Sequence, residues 1–191
     1  RMSEGGKSRP ARPLLPTSRR RYPIDTIDTT DDVFLDHNKV PRRIRAVTVN
    51  SASPLLVSLA AEIGFEAVWI ESEHAPIGFE RAETLCLAAE AGGIYPLIRL
   101  PDGERHHVLR ALEIGARIIL VPMVDDADYA RRIVDVGKYP PIGHRGFNTR
   151  TRGMGFGMHD LQDLLARANA RTHLFAQIET TEAVAHIDEI L

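Results

Sequence analysis

The chain has 191 residues, 43% of them hydrophobic and 26% charged, with a formal net charge of −2 at pH 7. This is the composition of one globular domain carrying a tail. It excludes a broad cationic field for nucleic acid or an anionic membrane, no apolar run is long enough to span a bilayer, and the lone cysteine, Cys86, excludes an intrachain disulfide.

A single cysteine fits a reducing compartment, so a cytoplasmic location is expected. Residues 1–43 read as a basic, proline-rich tail and lead-in, with Arg9, Pro10, Arg12, Pro13, Pro16, Arg19, Arg20, Arg21 and Pro23. These prolines forbid a regular helix. A solvated tail is the favoured reading. An organelle-targeting segment suits the scarcity of acids but not the prolines. A nucleic-acid arm lacks interleaved aromatics before Tyr22.

From residue 44 a strand–helix rhythm begins. Ile44–Val49 reads as the first strand. Ser53 and Pro54 then form a helix start, followed by Leu56, Leu59, Ala60 and Ile63 at helical spacing, with Gly64 as the stop. Ala67–Ile70 is the second strand. Its helix spans about Gly78–Ala91, with Ala82, Leu85, Cys86 and Ala89 on one face. Tyr95–Leu100 is the third strand, and Pro101-Asp102-Gly103 opens a helix to Ile114. Arg117–Val124 is the fourth strand and Asp126–Val136 its helix. His144–Asn148 reads as a short fifth strand, followed by a Gly-rich loop and a helix over Leu161–Ala170. His173–Ile178 is the sixth strand, and Thr180 or Thr181 caps a last helix running to the end.

Strands alternating with helices predict a parallel sheet of βαβ units. Strands apolar on both faces favour a (β/α)8 barrel over a doubly wound sheet. Such a barrel has eight units, and six are expected in residues 44–191.

The unusual polar residues fall at strand C-terminal ends, where a barrel gathers its chemistry. Glu71, Glu73 and His74 follow the second strand, Arg99 ends the third, Arg145 sits on the fifth, and Gln177 and Glu179 end the sixth. His, Arg, Gln and Glu converging on one mouth suit a small anionic substrate, with Glu179 available to a hard metal ion. Each has a plainer reading. A strand-end His is often a hydrogen-bonded structural residue. Arg99 can pair with Glu71 or Glu73 as a structural ion pair. Glu179 can serve only the helix dipole.

Glu113 lies four residues from Leu109 on a helix whose stripe includes Leu112. A buried carboxylate there needs a partner, and a strand-end histidine would become a stronger base beside it. The alternative puts Glu113 at the stripe's edge, in water. Lys7, Lys39 and Lys138 are the only lysines, and none ends a predicted strand. A Schiff base is therefore not expected, and carbon-acid chemistry would need a metal. Gly153-Met154-Gly155-Phe156-Gly157 has the wrong spacing for a dinucleotide fingerprint and is expected as a mobile loop near the mouth. Within Thr149–His159, Arg150 and Arg152 are either contacts for an acidic substrate tail or solvated charges. His106 and His107 are adjacent and expected to diverge.

The segments Glu73-His74-Ala75-Pro76, Ile98-Arg99, Leu120-Val121-Pro122-Met123-Val124, Tyr139-Pro140-Pro141, Arg145-Gly146 and Gln177-Ile178-Glu179-Thr180 occur in order. Together they resemble the metal-dependent class II pyruvate aldolases of the 4-hydroxy-2-oxoheptanedioate and 2-dehydro-3-deoxyglucarate aldolase family, from residue 44 to the end. The resemblance implies a (β/α)8 barrel assembling as a trimer or hexamer. It implies Mg²⁺ or Mn²⁺ at the mouth, with Co²⁺ a third candidate, and a 2-oxo acid and an aldehyde as small-molecule partners. By the same resemblance His74 is the catalytic base, Glu113 its supporting carboxylate, Arg99 the residue that stabilises the pyruvate enolate, Gln177 a substrate contact and Glu179 a metal ligand. Glu71 stands where relatives usually carry Asp. The second metal carboxylate of that family, on its seventh strand after a Gly-Pro-x-Asp-Leu type motif, is not in this sequence.

The expected function is carbon–carbon bond cleavage or formation in 4-hydroxy-2-oxo acids. Trp69-Ile70-Glu71-Ser72-Glu73-His74 also resembles macrophomate synthase, which implies oxaloacetate decarboxylation as an alternative. A non-catalytic interaction subunit that keeps these motifs is the third reading.

Overall fold

A computed structural model describes residues 32–35 and 39–191. The tail readings for residues 1–23 lie outside the described residues. Among the described residues five strands form one sheet: β1 (Ala46–Val49), β2 (Ala67–Glu71), β3 (Tyr95–Arg99), β4 (Ile118–Val121) and β5 (His173–Ala176). Their order is β1-β2-β3-β4-β5 and every pairing is parallel. The connecting helices are α1 (Pro54–Glu62), α2 (Phe79–Ala91), α3 (Arg105–Glu113), α4 (Ala127–Gly137) and α5 (Leu161–Arg171). The short α6 (Thr181–Ala185) and α7 (Ile187–Ile190) follow β5.

Sequential parallel strands, each crossing over through a helix, make the wall of a (β/α)8 barrel. The side-chain alternation of the strands agrees with it. Val68, Ile70, Ile98, Ile119 and Val121 pack in the core with helix residues Val57, Leu85, Val108 and Ile133. Leu97, Ile118 and Leu120 face the other way, with Trp69 and Tyr95 against them, and form a separate cluster with Val33. Helices therefore cover one face only, whereas a doubly wound sheet would carry them on both.

Five units are present among the described residues rather than six. The predicted strand over His144–Asn148 is irregular. The His144 N–H donates to the Asp135 carbonyl (2.7 Å) and the Arg145 N–H to the Lys138 carbonyl (2.9 Å), so the end of α4 uses donors that a ladder would need. Gly143 permits this close return, because a Cβ there would lie 2.6 Å from the Asp135 carbonyl oxygen. With that segment withdrawn, β4 pairs directly with β5.

Helix starts follow their caps. Asp126, Asp160 and Thr180 each accept a backbone N–H of the first turn. Ser53 occupies the N-cap position of α1 but its side chain makes no cap bond, and Pro54 supplies the start. The face expected to be buried on α1 is corrected. Ala60 is buried as expected, with Val57 beside it, while Leu56, Leu59 and Ile63 are exposed, because α1 packs on β1, β2 and α2 through an adjoining face. The face expected on α2 is the one observed: Ala82, Leu85, Cys86 and Ala89 are all buried. The last helix breaks at His186 into α6 and α7.

Candidate active site

The C-terminal ends of β1, β2 and β3 open onto a cavity of about 510 Å³ lined by Thr48, Asn50, Trp69, Glu71, His74 and Arg99, with Ala75 and Pro76. The sheet register builds it. Glu71 and Arg99 end their strands as direct cross-strand partners, on the same face as Trp69. That face is turned away from the helices, so both charges are delivered to the mouth.

Glu71 is the most engaged group. One carboxylate oxygen accepts the backbone N–H groups of Glu73 (2.9 Å) and His74 (3.0 Å). The other accepts Arg99 Nε at 2.7 Å and the Trp69 indole N–H at 3.2 Å. Burial pushes this carboxyl up, but the His74 N–H, the Arg99 guanidinium and the Glu73 N–H together hold it below its ordinary value. The plain reading of Arg99 as an ion-pair partner is thus correct in part. Arg99 bonds Glu71 through Nε and approaches Glu73 through Nη1 at 3.1 Å. The same Nη1 lies 3.5 Å from Gln177 Oε1, so the guanidinium joins β2, β3 and the end of β5.

Beyond β5 the network continues outward. Gln177 Nε2 donates to Glu179 Oε2 at 2.8 Å, and the Met123 N–H donates to Glu179 Oε1 at 2.9 Å. Thr180, next in sequence, caps α6 and bonds Asp125. The residues expected at the mouth, His74, Arg99, Gln177 and Glu179, therefore share one end of the sheet. His74 is held by its backbone while its ring is largely exposed, 3.7 Å from Glu73 Oε2.

Glu113 lies away from His74 within this chain. It is the last residue of α3, whose nine residues at about 1.5 Å each carry it to the opposite end of the sheet from His74. Its backbone lies against Gly153, and its charge acts on Tyr139 and Arg145. Within one chain it cannot support His74. Arg145 is likewise buried away from the mouth, stacked over the Tyr139 ring at 4.5 Å. The Gly-rich segment is also relocated. Arg152–Gly157 forms a short 3-10 turn, with Arg152 paired to Glu90 near the end of α2 and Gly153 against Leu112, far from the mouth. His106 and His107 do not diverge; their rings lie 4.0 Å apart, and His107 bonds Asp102 at 2.5 Å.

Trp69, Thr48 and Asn50 complete the lining although their residue types carry no site motif. The signal available was strand alternation: Trp69 shares the face of Glu71, two residues away. Among the described residues no three His, Cys, Asp or Glu side chains form a metal cluster. The donor set nevertheless fits Mg²⁺ or Mn²⁺, which take one or two protein carboxylates and complete their shell with substrate and water. Glu71, Glu73 and Glu179 oppose a single guanidinium, so the mouth has an excess of negative charge that a divalent cation would balance.

The sequence profile of the HpcH/HpaI aldolase/citrate lyase family matches residues 46–191. A 2-keto-3-deoxy-L-rhamnonate aldolase of Klebsiella pneumoniae subsp. pneumoniae is 35% identical over 144 residues, covering 75% of this chain and 53% of that protein. The chain thus spans about half the length of the curated relatives it matches. The crystal structure of an HpcH/HpaI aldolase from Desulfitobacterium hafniense DCB-2 superposes with a TM-score of 0.74 at 31% identity, over 78% of this chain and 57% of that one. Macrophomate synthase superposes with a TM-score of 0.69 at 23% identity, over 85% and 56% of the two chains, a likeness of fold.

Proposed function

Because the chain belongs to the HpcH/HpaI aldolase/citrate lyase family, we propose that its mouth serves a divalent-metal-dependent aldolase that cleaves or forms 4-hydroxy-2-oxo acids by way of the pyruvate enolate. The observation that carries this is the chain of contacts Glu71–Arg99–Gln177–Glu179 at the C-terminal end of the sheet, ending in a solvent-facing carboxylate.

Glu179 is the protein ligand we assign to the metal, and Gln177 the neighbour that orients it. The ion, when bound, supplies Lewis-acid polarisation of the 2-oxo group. Arg99 is already fixed by Glu71, so it meets developing enolate charge without reorganising, which is how a preorganised donor lowers a barrier. In the cleavage direction His74 takes the proton of the 4-hydroxyl, directly or through one water. The C3–C4 bond then breaks, its electron pair passes into the enolate, and the aldehyde departs. Proton return to C3 yields pyruvate. The acceptor pocket is the cavity bounded by Thr48, Asn50 and Trp69. Among the described residues no lysine ends a strand, which is consistent with a metal route rather than a Schiff base. Assembly as a trimer or hexamer belongs to the same proposal.

The test is Mn²⁺ titration together with retro-aldol release of pyruvate from a 4-hydroxy-2-oxo acid, with oxaloacetate assayed beside it. Metal-dependent pyruvate release, abolished by a chelator and restored by Mn²⁺, is expected. Decarboxylation of oxaloacetate without retro-aldol cleavage would replace this reading with the decarboxylase. No Mn²⁺ binding and no turnover would leave an interaction subunit.

A further inference from the structure

We infer that Met123 is a positioning residue whose left-handed backbone holds Glu179 in place for the cation; this rests on the proposal that Glu179 is a metal ligand. Met123 follows β4 by two residues and has φ of 54°. L-residues other than Asn, Asp and Gly rarely adopt this conformation, because Cβ crowds the backbone. Packing does not hold Met123 there, since the residue is 52% exposed.

The hydrogen bonds show what the conformation achieves. On one side the Gln177 N–H donates to the Val121 carbonyl; on the other the Val124 N–H donates to the Gln177 carbonyl. Between these rungs Met123 turns out of the ladder, and its N–H goes to Glu179 Oε1 at 2.9 Å instead. Gln177 Nε2 holds the second oxygen at 2.8 Å. Each oxygen of Glu179 thus accepts one N–H and keeps acceptor capacity for a hard cation. The Met thioether is a soft donor, poorly matched to Mg²⁺ or Mn²⁺. The role therefore belongs to the backbone of residue 123 and not to its side chain.

The experiment is calorimetric Mn²⁺ titration of the full chain and of Met123→Gly, Met123→Asn, Met123→Ile and Glu179→Gln, with the residue-123 amide proton followed by NMR. Gly and Asn accept a left-handed backbone and are expected within about twofold of the parent affinity, whereas β-branched Ile weakens Mn²⁺ about tenfold. The residue-123 amide proton is expected to shift upfield in Glu179→Gln, where a carboxylate acceptor is lost. A folded Met123→Ile with parent affinity would overturn the inference. So would Met123→Gly weakened as much as Met123→Ile, because the thioether would then be acting. If Met123→Ile does not fold, the amide decides: a proton unmoved by Glu179→Gln overturns the inference. Parent-like Mn²⁺ binding by Glu179→Gln would instead overturn the metal reading, while the amide shift still reports the Met123–Glu179 bond.

Discussion

Glu71 and Arg99 are partners twice over: their Cα positions are in register across β2 and β3, and Arg99 Nε lies 2.7 Å from Glu71 Oε2. The sheet itself sets this ion pair, so the geometry of the mouth is tied to the pairing of the two strands. The same Glu71 carboxylate accepts the N–H groups of Glu73 and His74. It therefore holds the loop that presents the proposed base.

Removing the guanidinium leaves Glu71 and Glu73 without their counter-charge, with Glu71 buried. Breaking a buried pair in this way costs about 3 kcal/mol. Arg99→Ala is expected to lose that much stability in urea unfolding and to cut aldol cleavage by orders of magnitude. Arg99→Lys keeps the charge but not the fork, and is expected to recover stability better than turnover. Parent-like turnover in Arg99→Ala would end the enolate assignment.

His74 makes the opposite prediction. Its side chain is largely exposed and its position is set through its backbone. His74→Ala is expected to change stability by no more than about 0.5 kcal/mol while cleavage falls by orders of magnitude. Undiminished cleavage in a folded His74→Ala would remove it as the base.

The depressed Glu71 carboxyl gives a pH signature. A carboxylate favoured in the folded state adds stability above its unfolded pKa, and the contribution is lost as pH falls through the folded value. Burial opposes the shift, and the His74 N–H and Arg99 outweigh it. At pH 7 Glu71→Gln should be the less stable protein. The gap should narrow as the pH drops below the ordinary value of 4.5. Denaturant unfolding between pH 3 and 7 measures it; a gap constant with pH contradicts the assigned network.

Cys86 is buried on α2, and burial pushes its thiol up to about 12. The thiolate is the reactive form. A thiol reagent at pH 8 is expected to leave the native protein untouched and to titrate one thiol per chain after denaturation. Rapid labelling of the native chain would show that α2 opens readily.

Much of this architecture is legible in the residues. Pro54 and Thr180 announce helix starts, because proline and short polar side chains serve the free N–H groups there. The apolar strands β2, β3 and β4 stand out by composition. His144–Asn148 misleads because its place between a turn and the next helix suggests a strand, while the His144 and Arg145 donors are taken by the end of α4. Leu56, Leu59 and Ile63 mislead because α1 carries apolar residues on two faces and periodicity cannot choose between them.

The sequence by itself determined the parallel α/β class and the placing of His74, Arg99, Gln177 and Glu179 at strand ends. Those are local properties: the period of a strand, and the residue at which it stops. Only the tertiary structure decided which strand ends meet. It excluded Glu113 from its own His74, because a helix returns its last turn to the far end of the sheet. It sent Arg152 to Glu90 rather than to the mouth. It also made Glu71 the centre of the site, since only sheet register brings Arg99 across to it.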